Sequence, residues 1–279
     1  MTEDLRTERK SRILAVRDLP TLPKVLEEVS KLVDRPDTTT EQVAKLISMD
    51  QVLSAKVLKM VNSPVYGFPG RISSIGHALV LLGFNVLRSI IVSTSVFEVM
   101  SENMVGLWEH SLGCAMACGA TARLLGFKDA EEYSVAGLLH DLGKVVATVQ
   151  LPDLKVEIER LVAERDLSYL QAEREVMGFG HDRINAWLAD YWKLPPNIKE
   201  GLSYHHKPHL APLYPEMACV VHLSDFMVRV FEHGFSGDLG VIYLQPQALK
   251  TLKMRPMHFE QLLDQLCEQF VELSELSFA

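Results

Sequence analysis

Apolar residues recur along most of the chain at steps of three and four, the spacing that lines one face of an α-helix. Leu22, Val25, Leu26, Val29, Leu32 and Val33 form the first such stripe, with Pro23 suited to its first turn. Thr38 and Glu41 make a T-x-x-E capping box ahead of Val43, Leu46 and Ile47. Val52 to Val61 reads as a further helix that stops near Asn62 and Pro64. Pro64 to Ser74 reads as a loop through Gly67, Pro69 and Gly70. Ser73 or Ser74 then caps a short helix ending at Gly83, and Asn85 to Met100 follows with Val86, Leu87, Ile90, Ile91 and Phe97 turned to the core. Leu107 to Leu125 is rich in small residues, among them Gly113, Ala115, Ala117, Cys118, Gly119 and Ala120. Such residues let neighbouring backbones approach closely, so this helix is expected at the centre. Asp129 with Glu132, and Ser168 with Gln171, predict two more capped starts. Pro195 and Pro196 separate two later helices, Pro208 to Pro215 is a loop, and the tail after Gly240 carries two helices divided near Pro256. Only Gly240 to Leu244 suits a short extended piece. The pattern predicts an all-α fold.

Composition narrows the class. The chain has 279 residues, 48% hydrophobic and 23% charged, enough for a sizeable core and unlike a disordered sequence. A net charge of −8 argues against the basic face that nucleic acid demands, so no nucleic-acid partner is expected. Four cysteines suggest no disulfide framework. Cys114 and Cys118 share a helix face, but C-x3-C is a weak metal signal and small core residues are the simpler reading. Met1 to Arg12 is polar, unlike a signal peptide. No run of 18 or more apolar residues occurs, so no membrane span is expected and the reading is a cytoplasmic, reduced protein.

Histidine and aspartate carry the chemistry. His110 follows Trp108-Glu109; His140 and Asp141 sit in Gly137-Leu-Leu-His-Asp-Leu-Gly-Lys144; His181 opens a helix after Gly178 and Gly180; His205 and His206 end one; Asp225 follows His222 by three residues. Imidazole with carboxylate suits iron, manganese, zinc and similar cations, and an aspartate can bridge two of them. Tyr133, Gly137, His140 and Lys144 fall on one face at steps of four, three and four, placing Lys144 near whatever His140 and Asp141 bind. These polar groups lie on otherwise apolar faces, where burial without partners is costly. Lys144 could instead cap a helix end. His77, His209, His233 and His258 read as satisfied or surface residues, and His222 as a supporting partner of Asp225.

The run His110 … His140-Asp141-x-Gly-Lys144 … His181 … His205-His206 … Asp225 resembles the ligand order of HD-domain phosphohydrolases, especially their HD-GYP branch. Leu19-Pro-Thr-Leu-Pro23, Asp50 to Ser63, Ile72-Ser-Ser-Ile75 and Ala78 to Gly83 resemble the narrower HDOD signature. The likeness runs from about Leu19 to Phe231.

The resemblance implies a helical bundle of the HD-phosphohydrolase type with an N-terminal HDOD helical subdomain. Residues 1–18 would be an extension, 19–100 the HDOD subdomain, 101–235 the metal-site core and 236–279 a helical cap, within one continuous domain. It implies one metal held by His110, His140, Asp141 and Asp225, and a second that shares Asp141 and adds His181, His205 and His206. Iron is favoured, with manganese or zinc as alternatives. Asp141 and Lys144 would be the catalytic pair of an active enzyme. Two features depart from HD-GYP: Lys207 follows the paired histidines with no glycine before Tyr214-Pro215, and Gly106 stands where three-metal sites carry a glutamate. The expectation is a bacterial intracellular signal-transduction module that meets a signalling protein or a nucleotide-like ligand, with no membrane partner. The alternatives are a metal-dependent phosphodiesterase acting on a nucleotide or cyclic dinucleotide, and a di-iron redox or oxygen sensor.

Overall fold

A computed structural model describes residues 3–15, 28–29, 31–32, 35, 37–240 and 243–274, and among these there is no strand. Leu19 to Pro23, most of the first apolar stripe, the side chain of Phe97 and part of Gly240 to Leu244 lie outside the described residues.

The N-terminal half contains α1 (Glu3–Leu14), α2 (Thr40–Ser48), α3 (Gln51–Val61) and α4 (Ile75–Asn103). The middle contains α5 (Leu107–Leu124), α6 (Ala130–Leu139), α7 (Leu142–Gln150), α8 (Pro152–Arg165), α9 (Tyr169–Met177), α10 (His181–Tyr191) and α11 (Pro196–Tyr204). A 3-10 turn at Pro208–Leu210 leads to α12 (Pro215–Val230), α13 (Pro246–Thr251) and α14 (Pro256–Ser274).

Local chemistry sets these boundaries. Asp50 caps α3 through Leu53 N–H at 2.9 Å, and Ser168 with Gln171 forms the expected capping box of α9. The box at α2 is one residue later than the sequence suggests. Thr39 pairs with Gln42, while the Thr38 hydroxyl donates to the Leu32 carbonyl and is unavailable. Asp129 takes a left-handed conformation at φ 54° and makes no side-chain cap, unlike the expectation. Asn62 does more than end α3: its amide bonds the Leu58 and Ile72 carbonyls and accepts from Ile72 N–H, closing the following loop.

α5 is the central helix, as its small residues predict. Every residue from His110 to Ala122 is buried, and α6, α12 and α14 pack on it. α2 and α3 pack on α4, which reaches α6 and α7 and so joins the N-terminal helices to the rest. Buried Arg88 of α4 donates to the Lys193 carbonyl just beyond α10 at 3.0 Å, a further tie between these parts. The stretch Ile75–Thr94 is long and apolar enough by composition to cross a membrane, but 61% of it is buried within this fold. Gly83 divides it at φ 73° and ψ 173°, a conformation essentially confined to glycine.

Candidate metal centre

The site is built where four helix ends and two helix bodies meet. His110 stands in the first turns of α5, and Asp225 projects from α12. His140 and Asp141 do not lie on one continuous helix, as the spacing had suggested. α6 ends at Leu139, Asp141 has φ −102° and ψ 8°, and α7 starts at Leu142. The break separates Tyr133 and Gly137 from Lys144, while Lys144 N–H bonds the Asp141 carbonyl at 2.9 Å. His181 is the first residue of α10, and His205 follows the last residue of α11.

Asn185 locks three of these segments together. Its side-chain oxygen accepts from Gly143 N–H at 2.7 Å, and its amide donates to the carbonyls of His140 and, at 3.2 Å, Leu202.

The seven expected residues come together in two groups. On one side, His110 Nε2 lies 3.1 Å from Asp225 Oδ1, and His140 Nε2 lies 3.9 Å from the same oxygen. On the other, the donor atoms of His181, His205 and His206 lie within 4.8 Å of one another, with 2.7 Å between the Nε2 atoms of His181 and His206. Asp141 stands between: Oδ2 is 3.4 Å from His140 Nε2, and Oδ1 is 3.3 Å from His181 Nε2.

Hydrogen bonds on the far side of the rings fix their protonation. His140 Nδ1 is 2.7 Å from the Gly137 carbonyl, His205 Nδ1 is 2.8 Å from the Leu202 carbonyl, and His181 Nδ1 is 2.6 Å from the Glu173 carboxylate. An acceptor at that distance demands a hydrogen on Nδ1, so in these three rings, when neutral, the inward Nε2 is a bare lone pair. His206 can supply one hydrogen to His181. Among the described residues nothing bonds His140 Nε2, His205 Nε2 or Asp141 Oδ1, all buried. Converging lone pairs beside a carboxylate repel one another unless a cation sits among them, and ligating histidines are held in just this way from behind. The donor set therefore fits divalent metal ions.

The charges agree. Burial pulls His140 down, but the negative charges of Asp141 and Asp225 more than offset it, so this ring draws positive charge. Burial, joined by the neighbouring histidines, holds His205 and His206 well below the ordinary value of 6.5 and keeps them neutral. Burial would raise Asp141 and Asp225; His140 and Lys144 for the one, and Arg229 and His110 for the other, hold both well below the usual carboxylate range.

Lys144 is fully buried and caps no helix end. Its Nζ lies 2.8 Å from both Asp141 Oδ2 and the Ser236 carbonyl, over the Tyr169 ring. Arg229 donates to Asp225 Oδ1 at 2.7 Å and to Asp238 at 2.6 Å. His222 is held neutral: Nδ1 donates to the His205 carbonyl at 2.8 Å, and Nε2 accepts from Gln245 N–H at 3.0 Å. It supports the His205 backbone rather than Asp225.

A family model described as the HDOD domain matches residues 19–208 of this chain. The chain belongs to the HDOD family. An HDOD domain protein of unknown function from Geobacter sulfurreducens is 26% identical, with a TM-score of 0.71 over 98% of this chain and 99% of its own. A protein of Shewanella amazonensis SB2B named as a candidate phosphohydrolase is also 26% identical, with a TM-score of 0.68 over 95% of this chain and 97% of its own. An uncharacterized protein of Treponema pallidum (strain Nichols) is 28% identical over 228 residues, 78% of this chain but 43% of that protein. The chain thus spans less than half the length of this curated relative.

Several residues of this HDOD site escape a reading of the sequence. Glu173 lies in the charged run Glu173-Arg-Glu175, which reads as a solvated helix face. Asp238 sits in a loop with no pattern around it. Asn185 and Arg229 did leave a signal: each lies four residues after a site residue, His181 and Asp225, and so one turn along the same face.

Proposed function

We propose that this HDOD chain is a signal-transduction module in which a dinuclear divalent-metal centre holds a phosphate-bearing, nucleotide-like ligand. The observation that carries this reading is the two groups of converging donors on either side of Asp141, with buried His140 Nε2, His205 Nε2 and Asp141 Oδ1 atoms that no hydrogen bond satisfies among the described residues. His110, His140 and Asp225 would hold one ion, and His181, His205 and His206 the other, with one Asp141 oxygen turned to each. Iron suits this histidine and carboxylate set; manganese and zinc are the competing occupants. Bound there, such ions supply Lewis acidity and fixed positive charge toward a phosphate. The chain's own residues position the donors: Glu173 aligns His181, Asn185 ties the His140 and His205 segments, and Arg229 anchors Asp225. Binding is favoured over turnover because the Lys144 amine is engaged by Asp141 and the Ser236 carbonyl rather than presented to a ligand.

A specific feature supports a second reading, a metal-dependent phosphodiesterase. His206 is the half-buried member of its group and lines a cavity of about 500 Å³ together with Gln171, Lys207, Tyr243 and Gln245. A ligand entering there meets the second metal position.

Elemental analysis of the wild type and Asp141→Ala tests the centre. About two equivalents of metal are expected in the wild type, as in dinuclear helical bundles, and almost none in the variant. A metal-free wild type loaded with neither iron, manganese nor zinc would end this reading. A panel of nucleotides and cyclic dinucleotides then separates the two functions: binding without turnover supports the module, and metal-dependent hydrolysis supports the phosphodiesterase.

A further inference from the structure

Cys114 follows His110 by one turn of α5 and is completely buried. Its Sγ lies 3.5 Å from His110 Nε2. The donor atoms of His110, Cys114, His140 and Asp225 all fall within 4.8 Å of one another. One of these, His140 Nε2, is buried with no hydrogen-bond partner among the described residues. His110 Nε2 meanwhile faces both the Asp225 carboxylate and the Cys114 sulfur, and one ring hydrogen cannot serve both.

Ligand spacing decides what such a group suits. A tetrahedral ion with metal–nitrogen and metal–oxygen bonds near 2.1 Å and a metal–sulfur bond near 2.3 Å places its ligands roughly 3.3–3.7 Å apart. The observed separations are 3.1 Å for His110 with Asp225, 3.5 Å for His110 with Cys114 and 3.9 Å for His140 with Asp225. They bracket that range without rearrangement of the backbone.

We propose that Cys114 is a sulfur ligand of the first metal position, joining His110, His140 and Asp225 beside the Asp141 oxygen turned to that position, and that the position at His181, His205 and His206 has nitrogen and oxygen ligands alone. This rests on the metal centre argued above. On binding, a metal–sulfur bond forms and the thiol proton leaves to solvent. The two positions then differ in softness. Thiolate favours zinc and similarly soft ions and disfavours magnesium and manganese, so the first position selects its ion more narrowly than the second.

Cobalt(II) loading of the metal-free full chain tests the proposal by absorption. Visible d–d bands report any bound cobalt, and a near-ultraviolet charge-transfer band reports a cobalt–sulfur bond. The wild type is expected to show both. Cys114→Ser should keep the d–d bands and lose the charge-transfer band, and Cys118→Ser, one turn further along α5, should keep both. Zinc affinity at the first position should fall in Cys114→Ser by at least the roughly 10–100-fold that lost ligand support costs. Visible bands without charge transfer in the wild type would overturn the cysteine ligand while leaving the metal centre standing. Charge transfer that survives in Cys114→Ser would overturn it too, by placing another sulfur on the metal. No cobalt uptake at all would remove the metal centre itself and this ligand with it. If Cys114→Ser fails to fold, a wild-type spectrum without charge transfer still overturns the proposal, and a band lost in Cys118→Ser overturns it as well.

Discussion

Glu173 is fully buried, and one of its oxygens accepts both from His181 N–H at 2.8 Å and from the ring Nδ1 at 2.6 Å. That pair of bonds sets the orientation of the ring and leaves its Nε2 bare. Glu173→Gln keeps the shape but removes the charge, and metal affinity at the second position is expected to fall roughly 10–100-fold, the usual worth of such a support. The first position, which Glu173 does not touch, should keep its affinity. Chelator competition on the two-metal protein resolves the two: one ion released early and one late supports this account, and parallel weakening of both would count against it. At this scale the sequence was informative about donors and poor about their supports. His110, His140, Asp141, His181, His205, His206 and Asp225 are legible because their types and order form a set. Glu173 is not, since nothing in a charged helical run marks the one carboxylate that turns inward. Cys114 lies four residues after His110, one turn along the same face, but the sequence reads it with Cys118 as a small core residue.

At the scale of elements, the site depends on how closely α5 and α6 approach. A methyl group on Gly137 would stand 2.5 Å from the Cys114 carbonyl oxygen and 2.7 Å from Cys118 Sγ. A backbone oxygen cannot step aside as a flexible side chain can, so Gly137→Ala must separate the helices. The cost should be about 1–3 kcal/mol, the scale of an overpacked core, and should appear as a lower urea midpoint. An unchanged midpoint would mean that the contact relaxes freely. The small residues of Leu107 to Leu125 announced this helix as central because only such a run tolerates neighbours on every side. The break at His140 and Asp141 was hidden for a related reason. Asp141 occupies the N-cap position of α7 but makes no side-chain cap, and the apolar spacing runs on through the break. The turn is imposed by tertiary demands, among them the Asn185 bond to the His140 carbonyl from a helix far along the chain.

For the molecule as a whole, folding, protonation and metal occupancy are linked through the same histidines. Burial lowers His110, His205, His206, His222 and His233 from the ordinary value of 6.5. A histidine lowered in the folded state contributes stability above 6.5 that is lost as pH falls from there toward its folded value. His140 has the opposite sign. Raised by Asp141 and Asp225 in spite of burial, it contributes stability below 6.5 that is lost as pH rises through its folded value. Lowered rings outnumber the raised one, so the metal-free protein should lose stability as pH drops from about 7.5 to about 5.5, the window in which histidine titrates. Metal steepens this slope, because a bound ion needs the bare nitrogens that acid protonates. Urea midpoints at the two ends of that window, with chelator and with added zinc, measure both slopes. Chelated protein should weaken on acidification, zinc-loaded protein should weaken more, and the two should converge at the acid end as the ion is expelled. In Asp141→Ala the zinc-dependent part should vanish, and the proton-dependent part should steepen because His140 loses the carboxylate that chiefly raises it. Chelated protein that is more stable at the acid end would reverse the account, with attraction between His140 and the two aspartates outweighing the burial of the other rings.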